Sequence, residues 1–177
     1  MRISMMIRPL LAKPCWRINY DCQLGLDLSF GTPYLEVEEP REPFSGEPVL
    51  RAHYARRRVS VKASCWLWVQ EAHWAVTLAD GRRVTRNSSS KGRGVAFAHL
   101  EGEKVTAVAV DPRDGATRFL FDLGGSLTVR RFRNTADDTL WTFYKPNGYC
   151  LSVRSDGRYS NHPCSHPVAD SVWMSLR

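Results

Sequence analysis

Two stretches of the chain, far apart in sequence, share a pattern of alternating apolar and polar positions around glycine. The first spans residues 28–37 and reads LSFGTPYLEV; the second spans residues 121–129 and reads FDLGGSLTV. Alternation with period two is typical of a β-strand with one buried face, and glycine adopts the positive φ that tight turns need. The pattern therefore predicts two β-hairpins, one turning at Gly31 and one at Gly124–Gly125.

Similar short runs, separated by turn residues, recur along the chain. They predict strands at residues 15–20, 59–69, 74–78, 105–110, 117–123, 126–132, 140–144, 149–153, 158–160 and 172–174. The strands at 59–69 and 74–78 are expected to be neighbours. One short helix is predicted over Lys91–Leu100, because residues 87–90 offer N-caps and Gly102 lies just beyond its end. Many short strands with one helix favour an antiparallel β-sandwich or barrel.

The length of 177 residues suits one mainly β domain spanning residues 1–177. The duplicated pattern further predicts two hairpin-centred halves within it, at residues 15–80 and 104–177.

Several motifs resemble those of a family of uncharacterised bacterial proteins, a domain of unknown function. They are FDLGG at residues 121–125, Trp141-x-Phe143-x-x-Pro146-x-Gly148, and Asp156-Gly157-x-Tyr159. Residues 30–41, around Phe30, Gly31, Pro33 and Leu35, are similar to that family's N-terminal signature. The resemblance implies a stand-alone bacterial domain and no particular activity.

The chain is basic, with a formal net charge of +7. Such a charge is typical of proteins that bind nucleic acid or a membrane surface, but it also serves solubility. Three arginine-rich segments could meet on one face if the hairpins stack. These candidate anion-binding residues are Arg56, Arg57, Arg58, Arg82, Arg83, Arg86, Arg130, Arg131 and Arg133. The alternative is that they pair with the acidic residues of segment 38–47.

The cysteines are odd in number and lack the spacing of a disulfide framework. They are Cys15, Cys22, Cys65, Cys150 and Cys164. Arg8 and Lys13 interrupt the first residues, so these do not read as the apolar core of a signal peptide. Apolar runs in the sequence are also too short for a membrane span. We therefore expect a cytoplasmic protein with reduced thiols and no membrane contact.

The segment His162-Pro-Cys164-Ser-His166 is a candidate metal site. Imidazole and thiolate are good ligands for zinc or copper, and alternate residues of an extended segment share a face. Asp170 could supply a fourth ligand. A second ligand pair at zinc-site spacing is missing from the sequence, and the alternative is a polar loop shaped by Pro163 and Pro167.

Four tryptophans, Trp66, Trp68, Trp74 and Trp141, lie in predicted strands, with Trp66 and Trp68 on one face. Core packing is the favoured interpretation, and the alternative is that they line a cavity for an apolar or aromatic ligand.

Familiar nucleophile, zinc-protease and dinucleotide-binding motifs do not occur in the sequence. Asp122 is expected to bond nearby backbone rather than perform acid–base chemistry. We expect a non-enzymatic protein without a cofactor that binds another protein through sheet edges, as an immunity protein or regulator does. The alternatives are a domain that binds nucleic acid or another polyanion, and a β domain that binds a small ligand or a metal.

Overall fold

The structure, a computed structural model, describes residues 3–42, 48–70, 72–132, 137–166 and 171–177. Within these ranges it contains twelve strands and three α-helices. The strands are β1 (Cys15–Asp21), β2 (Gly25–Glu38), β3 (Arg58–Val69), β4 (Ala72–Thr77), β5 (Arg83–Thr85), β6 (Val105–Val110), β7 (Thr117–Phe121), β8 (Ser126–Arg131), β9 (Thr139–Tyr144), β10 (Tyr149–Arg154), β11 (Arg158–Pro163) and β12 (Met174–Ser175). The helices are α1 (Ile3–Ile7), α2 (Pro48–Tyr54) and α3 (Ser90–Leu100), and a 3-10 turn (Arg8–Leu10) follows α1.

The strands form two separate antiparallel sheets. A seven-stranded sheet has the order β1-β2-β3-β9-β10-β11-β12, and a five-stranded sheet has the order β5-β4-β8-β7-β6. Strand β8 alternates between buried Leu127 and Val129 and the less buried Thr128 and Arg130, whereas β9 and β10 are buried on both faces. The prediction of a mainly β, antiparallel fold is confirmed, and the sandwich rather than the barrel is the form it takes.

The core lies between the sheets. Trp141 and Phe143 of β9 are fully buried from one side, and Phe119 of β7 is buried from the other. The rings of Phe119 and Trp141 meet edge to face, with centroids 5.7 Å apart. The indole Nε1 of Trp141 donates a hydrogen bond of 2.8 Å to Oγ1 of Thr117, which joins the two sheets through a buried polar contact.

The prediction of a hairpin that turns at Gly31 is wrong. Strand β2 runs without interruption from Gly25 to Glu38, and its pairing with β3 shifts register between Phe30 and Pro33. Gly31 has φ of +75°, and a Cβ at this position would overlap the hydroxyl of Ser64. The glycine therefore serves a β-bulge within a long strand instead of a turn between two strands.

The second hairpin is confirmed, since β7 and β8 pair on either side of the turn at Gly124. The two similar sequences thus have different structures. Each sheet also takes strands from both 15–80 and 104–177, so the sheets do not follow the two predicted halves. Asp122 accepts a hydrogen bond of 2.7 Å from the backbone amide of Lys104, as its expected structural role requires.

The predicted neighbours β3 and β4 belong to different sheets. The predicted helix is α3, and the Ser89 side chain caps it by accepting a hydrogen bond from Gly92 N. Two further short helices, α1 and α2, precede it in the chain. Met6 and Ile7 of α1 are buried, and Pro48 opens α2, where its missing N–H removes no helical bond.

Candidate functional site

Three arginines from three different strands reach the outer face of the five-stranded sheet. Leu127 and Val129 of β8 face the core, so Arg130 points outward by alternation. Arg118 of β7 and Arg83 of β5 share this outer side, and all three arginines are exposed.

Strand register places short hydroxyl side chains between the arginines. Thr128 of β8 lies opposite Arg118 of β7, and Thr77 of β4 lies opposite Arg83 of β5. Two depressions of about 730 and 170 Å³ share Arg83, Thr128 and Arg130. We call this continuous surface, defined by Arg83, Arg118, Thr128 and Arg130, the arginine groove.

The groove carries a surplus of positive charge. Among the described residues, Arg83, Arg118 and Arg130 have no ion-pair partner. Asp111 is the only described carboxylate that lines the groove, and the Arg113 guanidinium binds it at 2.7 Å. This contact and the Arg113 amide lower the pKa of Asp111 to about 2. Because Arg113 already balances that carboxylate, the other arginines keep their charge for an external anion.

The predicted arginines do not all lie on one surface. Arg83, Arg86 and Arg130 line the smaller depression together. Arg57 and Arg58 instead form ion pairs with Glu39 and Glu38, at 2.9 and 3.2 Å. That second outcome matches the alternative in which arginines pair with the acidic segment.

The other predicted arginines do not join the groove. Arg82 pairs with Asp80 at 2.6 Å. Arg56 is exposed beyond the end of α2, and Arg131 follows Arg130 and therefore points to the opposite side of β8. Arg133 lies outside the described residues. Sequence reasoning missed Arg118, although its position between core-facing Thr117 and Phe119 was a signal that it faces outward.

An aromatic pocket of about 380 Å³ opens beside the end of β3 in one sheet and the start of β4 in the other. Its aromatic walls are Tyr20 at the end of β1, Trp68 of β3, Trp74 of β4 and Phe132 beyond β8. Polar side chains also line this pocket: Gln70, Arg86 and Asp138.

Contacts within the protein hold the walls of the aromatic pocket. Tyr20 and Trp74 meet edge to face at 5.2 Å, and Trp68 Nε1 donates to the carbonyl of Leu24 at 2.6 Å. The Arg86 guanidinium lies over the Phe132 ring at 4.5 Å. These contacts make the pocket pre-formed in the absence of a ligand.

The pocket and the groove adjoin. The smaller depression of the groove shares Trp74 and Arg86 with the aromatic pocket. Arg93 of α3 packs over Tyr20 at 4.8 Å and donates to the carbonyl of Arg86 at 3.1 Å. A helix residue therefore positions the segment where pocket and groove meet.

Some of the four tryptophans pack in the core, and one of the others lines a cavity. Trp74 and Trp141 are buried in the core. Trp68 is half-buried and lines the pocket, while Trp66 stacks on Tyr144 with ring centroids 4.3 Å apart.

The three predicted metal ligands, His162, Cys164 and His166, have different roles in the structure. Cys164 forms a disulfide with Cys150, so its sulfur is not a free thiolate. His162 is buried, and its Nδ1 lies 3.2 Å from the hydroxyl of Ser160, whereas His166 is exposed in the turn that follows. Burial lowers the pKa of His162, with smaller contributions from His166 and Lys145. Across the described ranges, no three His, Cys, Asp or Glu side chains form a metal-binding group; Asp170 lies outside them.

The disulfide also corrects the expectation that all five thiols are reduced. Strands β10 and β11 pair Cys150 with His162, which brings Cys164 just beyond the strand end to Cys150. Cys15 and Cys65 are buried, and burial raises the pKa of both thiols. Cys22, which lines the aromatic pocket, is the one exposed free thiol among the five cysteines.

Beyond the bulge, β2 and β3 form a two-stranded ribbon, defined by residues 33–38 and 58–63. Leu35 pairs with Val61 and Val37 with Val59, and all four are exposed, Leu35 to 68%. The other side of the ribbon carries charged residues that pair with one another, as Lys62 does with Glu36 at 3.3 Å. The ribbon therefore presents an apolar face to solvent.

Among the helices that the structure describes, none is long and apolar enough to cross a membrane. Comparison with protein-family models, with curated proteins and with solved structures finds no match to this chain.

Proposed function

We propose that the protein binds a phosphate-bearing polyanion along the arginine groove. The observation that carries the proposal is that Arg83, Arg118 and Arg130 converge from three strands without an ion-pair partner among the described residues. Guanidinium groups donate two parallel hydrogen bonds to a phosphate, and the neighbouring hydroxyls add further donors.

The energetics of such binding are dominated by counterion release. Each phosphate that a cation neutralises releases condensed counterions, so affinity falls steeply as salt rises. The net charge of +7 also favours encounter with a polyanion from any direction. Paired arginines contribute less, because a carboxylate must first be displaced.

The test compares two double variants that remove the same charge. Arg118→Gln with Arg130→Gln changes the groove, and Arg57→Gln with Arg58→Gln changes arginines that already have carboxylate partners. Binding of inorganic polyphosphate and of a labelled single-stranded oligonucleotide is followed by anisotropy and competition at several salt concentrations. We expect the groove variant to lose about tenfold or more in affinity and to show a shallower salt dependence, and the control to lose less than about twofold.

Two outcomes would overturn the proposal. One is the absence of binding to either polyanion at low salt. The other is an equal loss in both double variants, because net charge rather than the groove would then explain binding.

A second candidate function is protein interaction through the ribbon, and the occupant we propose is a second copy of the chain. Exposed apolar pairs on a sheet face are typical of association surfaces. A two-fold interface must be self-complementary, and most of this basic surface would repel itself. The ribbon is suited to self-association because its charges, such as Glu36 with Lys62 and Glu38 with Arg58, are already paired.

This candidate is tested by sedimentation equilibrium of the intact chain. We expect a dimer that dissociates in the Leu35→Lys, Val59→Lys double variant and persists in Leu123→Lys, which changes an equally exposed leucine in the β7–β8 turn. A monomeric wild-type chain at high micromolar concentration would rule the second copy out.

A further inference from the structure

We infer that the aromatic pocket receives an unpaired base of a single-stranded nucleic acid whose backbone follows the arginine groove. The inference rests on the proposed function and names the class of its polyanion. It is carried by the junction at Arg86, where a surface rich in cations continues into a pocket with aromatic walls.

The chemistry of the two surfaces is different and complementary. The groove holds arginines without described ion-pair partners, which suits phosphate. Among the described residues that line the pocket, one is a cation, Arg86, and one is a carboxylate, Asp138, so these charges balance and suit an uncharged ring. Proteins that hold single strands combine a basic track for the backbone with aromatic faces on which bases stack.

The size and polarity of the pocket fit a base. Its volume of about 380 Å³ lies within the range of small-molecule sites, roughly 300–1,000 Å³. The amide nitrogen of Gln70 donates to Thr142 at 3.3 Å, and among the described residues no donor binds its side-chain oxygen, which can accept from the edge of a base. Trp68 is half-buried in the wall of the pocket, and Phe132 is 38% exposed at its rim.

The junction is held in place for such a ligand. Arg86 stacks on Phe132, His73 contacts the same ring at 4.6 Å, and Arg93 fixes the Arg86 carbonyl. A base in the pocket and its 5′ or 3′ phosphate in the groove would therefore lie on either side of Arg86. A duplex could occupy the groove, but its paired bases could not enter the pocket.

The experiment measures one ratio, the dissociation constant of an abasic strand divided by that of an oligo-dT strand of equal length. Both strands carry the same phosphates, so the ratio reports the pocket and not the groove. Base stacking on aromatic side chains predicts a ratio of about ten or more.

Cys22 allows the pocket to be blocked selectively. It is the only exposed free thiol, so N-ethylmaleimide should modify the pocket rim and leave buried Cys15 and Cys65 unchanged. We expect the ratio to fall towards one in the modified protein and in Phe132→Ala. The reagent should not change the ratio measured for Cys22→Ser before and after treatment, and the ratio should keep its wild-type value in Tyr149→Ala, a similarly exposed aromatic elsewhere.

The possible outcomes separate this inference from the proposed function. A ratio near one in the unmodified protein, with both strands still bound, overturns the base pocket and leaves polyanion binding intact. A ratio that survives both the adduct and Phe132→Ala also overturns it. A fall of the ratio towards one in the modified protein or in Phe132→Ala supports the inference. Failure of both strands to bind at low salt rejects the proposed function itself.

Discussion

The outer faces of the two sheets both carry polar groups, yet they use these groups in opposite ways. On the seven-stranded sheet, Thr142 and Ser152 are buried and lie 2.9 Å apart, bonded to each other. On the five-stranded sheet, Arg118 and Arg130 are exposed and have no ion-pair partner among the described residues. Polar groups that satisfy one another stabilise the fold, whereas groups without internal partners are available to a ligand. Changes on the first face should therefore affect stability, and changes on the second should affect binding.

The largest expected effect comes from Trp141, the buried residue on which both faces depend. Trp141→Ala removes a large core side chain and its hydrogen bond to Thr117, and we expect a loss of about 3–5 kcal/mol in the free energy of unfolding. Urea denaturation measures it, with Trp141→Phe as the milder control. A loss below about 1 kcal/mol would contradict the packing described for the core.

The disulfide provides the next largest effect, on the seven-stranded side. Cys150 and Cys164 are 14 residues apart, and a closed loop of this length is worth about 3 kcal/mol. We expect the Cys150→Ser, Cys164→Ser double variant to melt at a lower temperature while its polyanion affinity is unchanged. Thiol titration of the denatured wild-type chain should find three thiols, Cys15, Cys22 and Cys65. Five thiols would show that the bond does not form under the conditions of purification.

A matched pair of threonines sharpens the comparison directly. Thr142→Val removes a buried hydroxyl that bonds Ser152 and Gln70, and we expect a loss of about 1–2 kcal/mol. Thr128→Val makes the same change in the open groove, where the stability effect should stay within about 0.5 kcal/mol. Thermal and urea denaturation check both, and equal losses would show that the two faces do not differ in this way.

The smallest expected effect concerns Asp27, on the outer side of β2. Desolvation raises the pKa of this carboxyl above its ordinary value, despite the nearby Arg17 and Ser29. The fold therefore favours the neutral carboxyl, and Asp27 makes its full contribution to stability at pH values below its ordinary pKa of 3.8. That contribution is lost as pH rises through the pKa of the folded state. We expect Asp27→Asn to raise the melting temperature at pH 7 and to have little effect below pH 3.8. A lower melting temperature for Asp27→Asn than for the wild type at pH 7 would contradict this prediction.

Sequence reasoning located most strands because alternation and turn residues are local signals. It could not assign strands to sheets, and it therefore placed β3 and β4 side by side although a short connection sends them into opposite sheets. The bulge at Gly31 was mistaken for a turn because glycine serves both, and only the continued pairing of β2 with β3 distinguishes them.

The candidate site was only partly accessible to the same reasoning. Arginine clusters were visible in the sequence, but which arginines meet carboxylates depends on strand register. Glu38 and Glu39 form ion pairs with Arg58 and Arg57, whereas no described carboxylate forms an ion pair with Arg118. The aromatic pocket combines residues from both sheets, so its walls are neighbours only after folding. The disulfide likewise depends on how β10 and β11 align.

The bulge at Gly31 gives β2 and β3 two regimes of hydrogen exchange along their length. Before it, β2 lies between β1 and β3, and the last residues of β3 lie between β2 and β9, so their amides should exchange only when the whole fold opens. Beyond it, the ribbon has no third strand among those described, and its outward amides face solvent along both edges. Protection should therefore fall sharply on passing Gly31 in β2, and on passing Cys65 towards Arg58 in β3.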